Sequence, residues 1–484
     1  MTSHVAAAGP RVTAPPLPPA RLPDPGWDGA AVAALRAREY ARLDARDQVY
    51  LDYTGGGLYA DSQLRQHQEL LRDGVFGNPH SGSPTSRAST RLADAARRAV
   101  LAFLGASPDE YTVIFTANAS GALRLVGEAY PFEPGGALLL TADNHNSVNG
   151  LREFARSRGA GLTYLPLGPR DLRPDPAQVL AALDAGRADR PGLFAYPAQS
   201  NYSGVRHPLD WVTYARERGW DVLLDASAYV PTNRLDLSRW HPDFVAISWY
   251  KVFGYPTGIG SLVVRREALA RLRRPWFSGG TIGVASVVVP QHTLGEAEVG
   301  FEDGTIDYLG LPAIEMGLRH IEAVGLPVIH RRVGHLTRLI LERLVALRHP
   351  GGAPLVRLYG PVDGLDRGGT VPFNVLDPTG AVVDFWAVEA AAAERRISVR
   401  TGCFCNPGAS ETARGLTAAD MERVFALGRQ PGYEDLRALL PGKALGAVRV
   451  SVGIATTERD VHRFLDFLGE VADDLAQGRP MARA

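Results

Sequence analysis

The chain has 484 residues, 52 basic side chains matching 52 acidic ones, and 45% hydrophobic residues, enough for at least one large core and roughly two to four domains. The zero balance argues against nucleic acid, which needs a basic surface, and no apolar run approaches the ~20 residues that span a bilayer. Residues 1–25, MTSHVAAAGPRVTAPPLPPARLPDP, lack the apolar core of a signal peptide and are broken by repeated Pro. They are expected to form a disordered arm on a cytoplasmic enzyme.

From about residue 26 the pattern turns periodic. WDGAAVAALRAREYARL predicts a helix, and QVYLDY a short strand ending in the glycine triplet 55–57. Residues 86–104 predict a long helix with Leu92, Ala96, Val100 and Phe103 on one stripe and Gly105 as its stop. Seven strand-length apolar runs then alternate with helical stretches: YTVIFT, GALLLTAD, LTYLPL, GLFAYPA, WDVLLDA, FVAIS and IGSLVV. Such alternation implies an α/β fold built on a mainly parallel sheet covered on both faces, with ligands at the carboxyl ends of the strands.

Two helical patterns, LPAIEMGLRHIEAV and GHLTRLILERLVALR, lead out of the sheet. LVRLYG, TVPFNVL, a helix near 381–396, ISVR, AVRVSV and a helix opened by Thr457 with Asp460 complete a smaller α+β region. The expected domains are therefore a large one over 26–325, with the N-terminal segment, and a small one over 326–484.

Two residue counts narrow the chemistry. Lys251 and Lys443 are the only lysines among the 52 basic residues. Lys443 lies in the turn LPGKALG, an ordinary surface position. Lys251 follows the apolar FVAISWY, where a buried ammonium is costly but an amine can form an imine, which a guanidinium cannot. The only cysteines, Cys403 and Cys405, lie in VRTGCFCNPGA. They make a poor disulfide and half a zinc site, so no metal is expected. If the segment is extended, one thiol faces a cleft while the other packs; alternatively, both are small buried hydrophobes; the Arg before and the Asn-Pro-Gly after suit an exposed loop better than a core strand.

The strand ends carry the remaining candidates. Ala117-Asn118-Ala119-Ser120-Gly121 opens a helix and suits a phosphate, although Ser120 also reads as a plain N-cap. Asn144-His145-Asn146 and Gln199-Ser200-Asn201 follow other strands. Asp225 ends an apolar run, and Ser248 and Lys251 end the next. A carboxylate and an imine-forming lysine at neighbouring strand ends, with a phosphate cradle upstream, is what pyridoxal phosphate requires: aspartate keeps the pyridine nitrogen protonated and lysine carries the aldehyde as a Schiff base.

At this point the chain resembles the class V, fold-type I pyridoxal-phosphate transferases, and within them the cysteine-desulfurase-like domain of molybdenum cofactor sulfurases. The segments that carry the likeness are YLDYTGGGLY, GNPHS, DNHNSV, PAQSNYSG, LLDASAYVPT, SWYKVFGYPTGIGSLVV, FSGGT, FEDGTIDYL and RTGCFCNPGA. The resemblance implies a seven-stranded large domain, a cofactor held by Lys251, Asp225 at its ring nitrogen and His145 stacked on its face. It implies Ser120, the Ala119 amide and Ser248 at the phosphate, Asn201 near the ring hydroxyl and the substrate, and Arg449 on the substrate carboxylate. It further implies a homodimer in which Thr281 reaches the partner's phosphate, and Cys405 as the nucleophile that takes sulfur from L-cysteine. Ala228 and Tyr250 depart from the iron-sulfur branch, which often has a polar residue and a histidine there. The eukaryotic relatives continue into a molybdenum-cofactor-binding domain that this chain does not reach, which leaves the sulfur acceptor open. A C–S lyase, aminotransferase or epimerase of the same class is the alternative activity.

Overall fold

The computed structural model describes residues 29–79, 81–185 and 190–479. The expected arm over 1–25 lies outside them.

All seven apolar runs form one sheet, in the spatial order Tyr111–Thr116, Gly260–Arg265, Phe244–Ser248, Asp221–Asp225, Gly192–Pro197, Ala137–Thr141 and Gly161–Leu165. Gly260–Arg265 runs antiparallel to both its neighbours, and the other pairings are parallel. Central strands such as Gly192–Pro197 and Phe244–Ser248 are buried at every position, which is why they are apolar without alternation. The edge strand Gly161–Leu165 alternates instead, because one face meets solvent.

The long helix runs Pro84–Phe103, opened by Ser83, whose hydroxyl accepts the Ser86 amide. Its buried stripe passes through Ala96, Val100 and Phe103 as expected, with Ala93 buried in place of the half-buried Leu92. Gly105 stops it in the left-handed region, φ +62°. The first predicted helix is shorter than its pattern, Gly29–Glu39, followed by a separate turn Arg42–Ala45. Between them Tyr40 is fully buried, its hydroxyl 2.8 Å from His320 Nε2.

The QVYLDY strand is reduced to Val49–Tyr50, paired in parallel with Ile397–Ser398. Arg36 reaches Asp460 at 2.6 Å and Asp52 bridges to Ser451, so residues from the start of the described chain pack on its C-terminal part. That part holds an antiparallel sheet in the order Val356–Leu358, Thr370–Val375, Ala447–Ser451, Arg400–Gly402. The ISVR run therefore serves two sheets, its first half pairing with Val49–Tyr50 and its second starting Arg400–Gly402. Thr457 and Asp460 form the expected capping box on Glu458–Ala476. An exposed hairpin, Ile282–Ser286 with Gln291–Leu294, has no apolar alternation and was not predicted.

Gly260 sets how closely the sheet approaches the Ala119–Ala129 helix. A Cβ there would lie 2.3 Å from the Asn118 carbonyl carbon and 2.6 Å from the Ala119 nitrogen, both backbone atoms that cannot rotate away. Gly260→Ala should therefore destabilise the protein by about 1–3 kcal/mol, read as a lower urea midpoint at unchanged slope. An unshifted midpoint would mean that this helix end is not fixed by the strand.

Candidate active site

The carboxyl ends of the sheet enclose a cavity of about 380 Å³. Ala119, Ser120, His145, Asp225, Ser248 and Lys251, six of the residues expected from sequence, all line it. On the phosphate side, Asn118 rather than Ser120 is the N-cap, its Oδ1 accepting the Gly121 amide at 2.9 Å. This frees the Ser120 hydroxyl from the capping role, and it lies 2.6 Å from the Ser147 hydroxyl. The Ala119 amide donates to Ser248 Oγ at 3.1 Å, tying the helix N-terminus to the strand that leads to Lys251. Two hydroxyls and a helix start at one wall match an anion's needs.

Lys251 sits in the four-residue turn Tyr250–Phe253. Trp249, fully buried, stacks on Phe253 and donates to Ser261 Oγ at 2.7 Å, and Gly254 ends the turn at φ +77°. From the other side the Gly57 amide donates to the Tyr250 carbonyl at 2.9 Å, so the glycine triplet presses directly on the lysine's backbone. Burial pushes the Lys251 amine below the ordinary lysine value; Asp225 opposes this and Arg449 adds to it. Asp225 is fixed by the Ser227 amide, which donates to its Oδ1 at 3.0 Å. His145 caps the Asn146–Asn149 turn, its Nδ1 accepting the Ser147 amide at 3.1 Å. That role needs an unprotonated Nδ1, and burial followed by the Lys251 charge lowers the His145 pKa in the same direction.

A second layer belongs to the small antiparallel sheet and the loops beside it, and Arg449, Asn201 and Cys405 in this layer do not line the cavity. Arg449 is buried, donates from one terminal nitrogen to the Asn201 carbonyl at 2.9 Å and from the other to Asp52 Oδ1 at 3.0 Å, and lies 4.6 Å over the Phe404 ring. Its Nε is buried without a partner. Asn201 donates to the Phe404 carbonyl at 2.8 Å and accepts from Asn406 at 2.9 Å, so it holds the cysteine segment as well as Arg449.

That segment is not extended. Phe404 and Cys405 stand at φ +55° and +54°, so a turn, and not strand alternation, separates the thiols. Both cysteines are exposed, which excludes the reading of a buried hydrophobic pair. They face different neighbours: Cys405 lies within electrostatic reach of Lys251 and Tyr250, and Cys403 within that of Tyr202. Thr281 lies apart from the cavity, its hydroxyl accepting the Ser278 amide and donating to the Ser278 carbonyl. Sequence reasoning missed Asp52, Arg400 and Asn406; Asp52 lies within the quoted YLDY and Asn406 follows Cys405, but their partners are assembled only by the tertiary fold.

The lysine and carboxylate fit pyridoxal phosphate, as do the anion-suited helix start that Gly260 admits and the unpaired guanidinium edge. Together with the sheet order they define a fold-type I α/β transferase. The family model for class V aminotransferases matches residues 49–464, and the chain belongs to that family. It is 36% identical over 483 residues to molybdenum cofactor sulfurase of Bos taurus, covering 95% of this chain and 54% of that protein. The Homo sapiens sulfurase is 35% identical, with 92% and 52% covered, so the chain spans about half the length of these relatives. Among solved structures, the apo cysteine desulfurase of Thermococcus onnurineus NA1 superposes with TM-score 0.74 at 24% identity, covering 91% of this chain and 98% of that one. The cysteine desulfurase CsdA of Escherichia coli, in its S-sulfonic acid form, gives 0.72 at 21% identity, covering 92% and 98%. At these identities the structural likeness establishes the fold. Among the described residues no helix is long and apolar enough to cross a membrane.

Because the Lys251 charge lowers the His145 pKa, Lys251→Ala should raise it toward the ordinary histidine value in cofactor-free protein. A histidine NMR titration checks this, and an unmoved His145 would separate the two side chains electrostatically.

Proposed function

We propose that the chain is a pyridoxal-phosphate-dependent cysteine desulfurase that takes sulfur from L-cysteine onto Cys405, leaves L-alanine, and passes the sulfur to an acceptor. The observation that carries this reading is the placement of Cys405: an exposed thiol on a tight turn, within electrostatic reach of Lys251 and tied through Asn201 to Arg449.

Pyridoxal phosphate, when bound, supplies an aldehyde for amine capture and a ring that stores negative charge. Lys251 would hold it, Ser120 and Ser248 with the Ala119 helix start would take its phosphate, and Asp225 would keep a proton on its ring nitrogen. His145 would cover its face and Asn201 would lie near its hydroxyl. A lysine lowered by burial is neutral over a wider pH range, which suits Lys251 Nζ to take and return the substrate α-proton. Arg449, through its free Nε edge, would bind the substrate carboxylate. Cys405 as thiolate attacks the substrate sulfur: an S–S bond forms, the C–S bond breaks, and the carbon gains a proton. Thiol and L-cysteine thus become persulfide and L-alanine, the sulfur being oxidised as the carbon is reduced, with no outside oxidant.

We assign a homodimer, in which Thr281 would approach the partner's phosphate. The exposed Val287, Val288 and Val289 next to it support a covered surface there. A persulfide-forming thiol works in a reducing compartment, so we place the enzyme in the cytoplasm.

Borohydride reduction of the reconstituted protein should fix the pyridoxyl group on Lys251. Cys405→Ala should keep the bound-cofactor absorbance and lose at least about 100-fold in alanine formation, as expected when a nucleophile is removed. Mass spectrometry after incubation with L-cysteine should show one added sulfur atom on the Cys405 peptide. Pyruvate and ammonia in place of alanine would instead identify a C–S lyase.

A further inference from the structure

The small sheet sets two arginines face to face. Arg400 and Arg449 are direct cross-strand partners in the antiparallel pairing of Arg400–Gly402 with Ala447–Ser451. Like charges in that relation repel, and Arg449 is buried as well. One carboxylate lies between them. Asp52, itself buried, gives Oδ1 to Arg449 at 3.0 Å and Oδ2 to the Nε and a terminal nitrogen of Arg400, at 2.9 and 2.6 Å. Gly55 is what makes room, since a Cβ there would stand 2.4 Å from Asp52 Oδ2.

Two guanidiniums and one carboxylate leave a single net positive charge, and the buried Nε of Arg449 leaves one donor unmet. One incoming carboxylate satisfies both. It also competes with Asp52 for the Arg449 charge, so Asp52 interacts relatively more with Arg400. Arg400 begins the strand that runs through Thr401 and Gly402 into the cysteine turn, whose Phe404 packs under Arg449. The same arginine pair therefore touches the thiol turn from both its strand and its ring.

We propose that Asp52 is a positioning residue that couples filling of the Arg449 carboxylate site to the placement of the Cys405 turn, acting through Arg400. This rests on the reading of Arg449 as the carboxylate clamp.

The test uses the reconstituted protein and L-alanine, which has the carboxylate but no sulfur to remove. Two quantities are read: alanine binding from the cofactor absorbance, and the iodoacetamide alkylation rates of Cys405 and Cys403 by peptide mass spectrometry. In the wild type, saturating L-alanine should change the Cys405 rate by about fivefold or more, with Cys403 affected less. The Arg400 side chain is half exposed, and Arg400→Gln should still bind L-alanine but lose its effect on Cys405. Asp52→Asn should lose the same effect, and the double variant should be no worse than either single one, the mark of residues on one linkage. Arg400→Lys should restore part of it. Retention of the alanine effect in Arg400→Gln, or its absence in the wild type, overturns the proposal. Failure to make alanine from L-cysteine would overturn only the desulfurase reading, because neither readout involves sulfur removal.

Discussion

The amine of a half-buried lysine at the carboxyl end of a mainly parallel sheet is the constraint around which this molecule is arranged. Burial lowers the Lys251 pKa and so costs stability whenever the group is charged. That position persists because its backbone is gripped on three sides: by the fully buried Trp249 before it, by the left-handed Gly254 after it, and by the Gly57 amide from the N-terminal segment. Asp225 and His145 then fall into place as consequences of strand order. Each ends or follows a strand of the same sheet, so the side chains converge without any long loop having to carry them.

Much of this was legible in the chain because the physics that shapes it is local. Six buried or nearly buried strands read as apolar runs, the half-exposed edge strand Gly161–Leu165 is the seventh, and all seven lie in the predicted sheet. Lys251 was conspicuous because arginine fills nearly every other basic position, leaving chemistry as the reason to keep an ammonium. Asp52 was not legible as part of the site, since its value depends on Arg400 and Arg449 meeting across a sheet some 350 and 400 positions away. In the thiol segment the flanking Arg and Asn-Pro-Gly pointed to an exposed loop, which the structure has, and only the alternation of an extended chain fails. Alternation assumes an extended chain, whereas here hydrogen bonds from Asn201 and the packing of Phe404 on Arg449 override that preference. The shortening of QVYLDY has the same origin: a two-residue strand is defined by its partner, Ile397–Ser398, and not by its own periodicity.

The N-terminal segment thus ties the small sheet to the lysine turn. Val49–Tyr50 pairs with the small sheet, Asp52 balances its two arginines, and the glycines just beyond press on the lysine turn. Three steps of contiguous chain connect Arg449, the Cys405 turn and the Lys251 turn. A substitution at any of Asp52, Gly55 or Gly57 therefore acts on this framework, although none of the three lines the cavity.

The thiol turn shows how such a framework is used. Two successive side-chain-bearing residues, Phe404 and Cys405, occupy the left-handed region, at about 1–2 kcal/mol each relative to a relaxed backbone. A free loop would relax. Here the Phe404 carbonyl is taken by Asn201, the Cys405 carbonyl by the Asn146 amide at 2.7 Å, and the Phe404 ring is buried between Tyr202 and Arg449. Asn146 follows His145 directly, so the bond that holds the thiol also fixes the residue next to the one covering the cavity. Among the described residues this is the one place where two successive side-chain-bearing residues take positive φ, and its supports include Asn201 and Arg449, both named for the site from sequence.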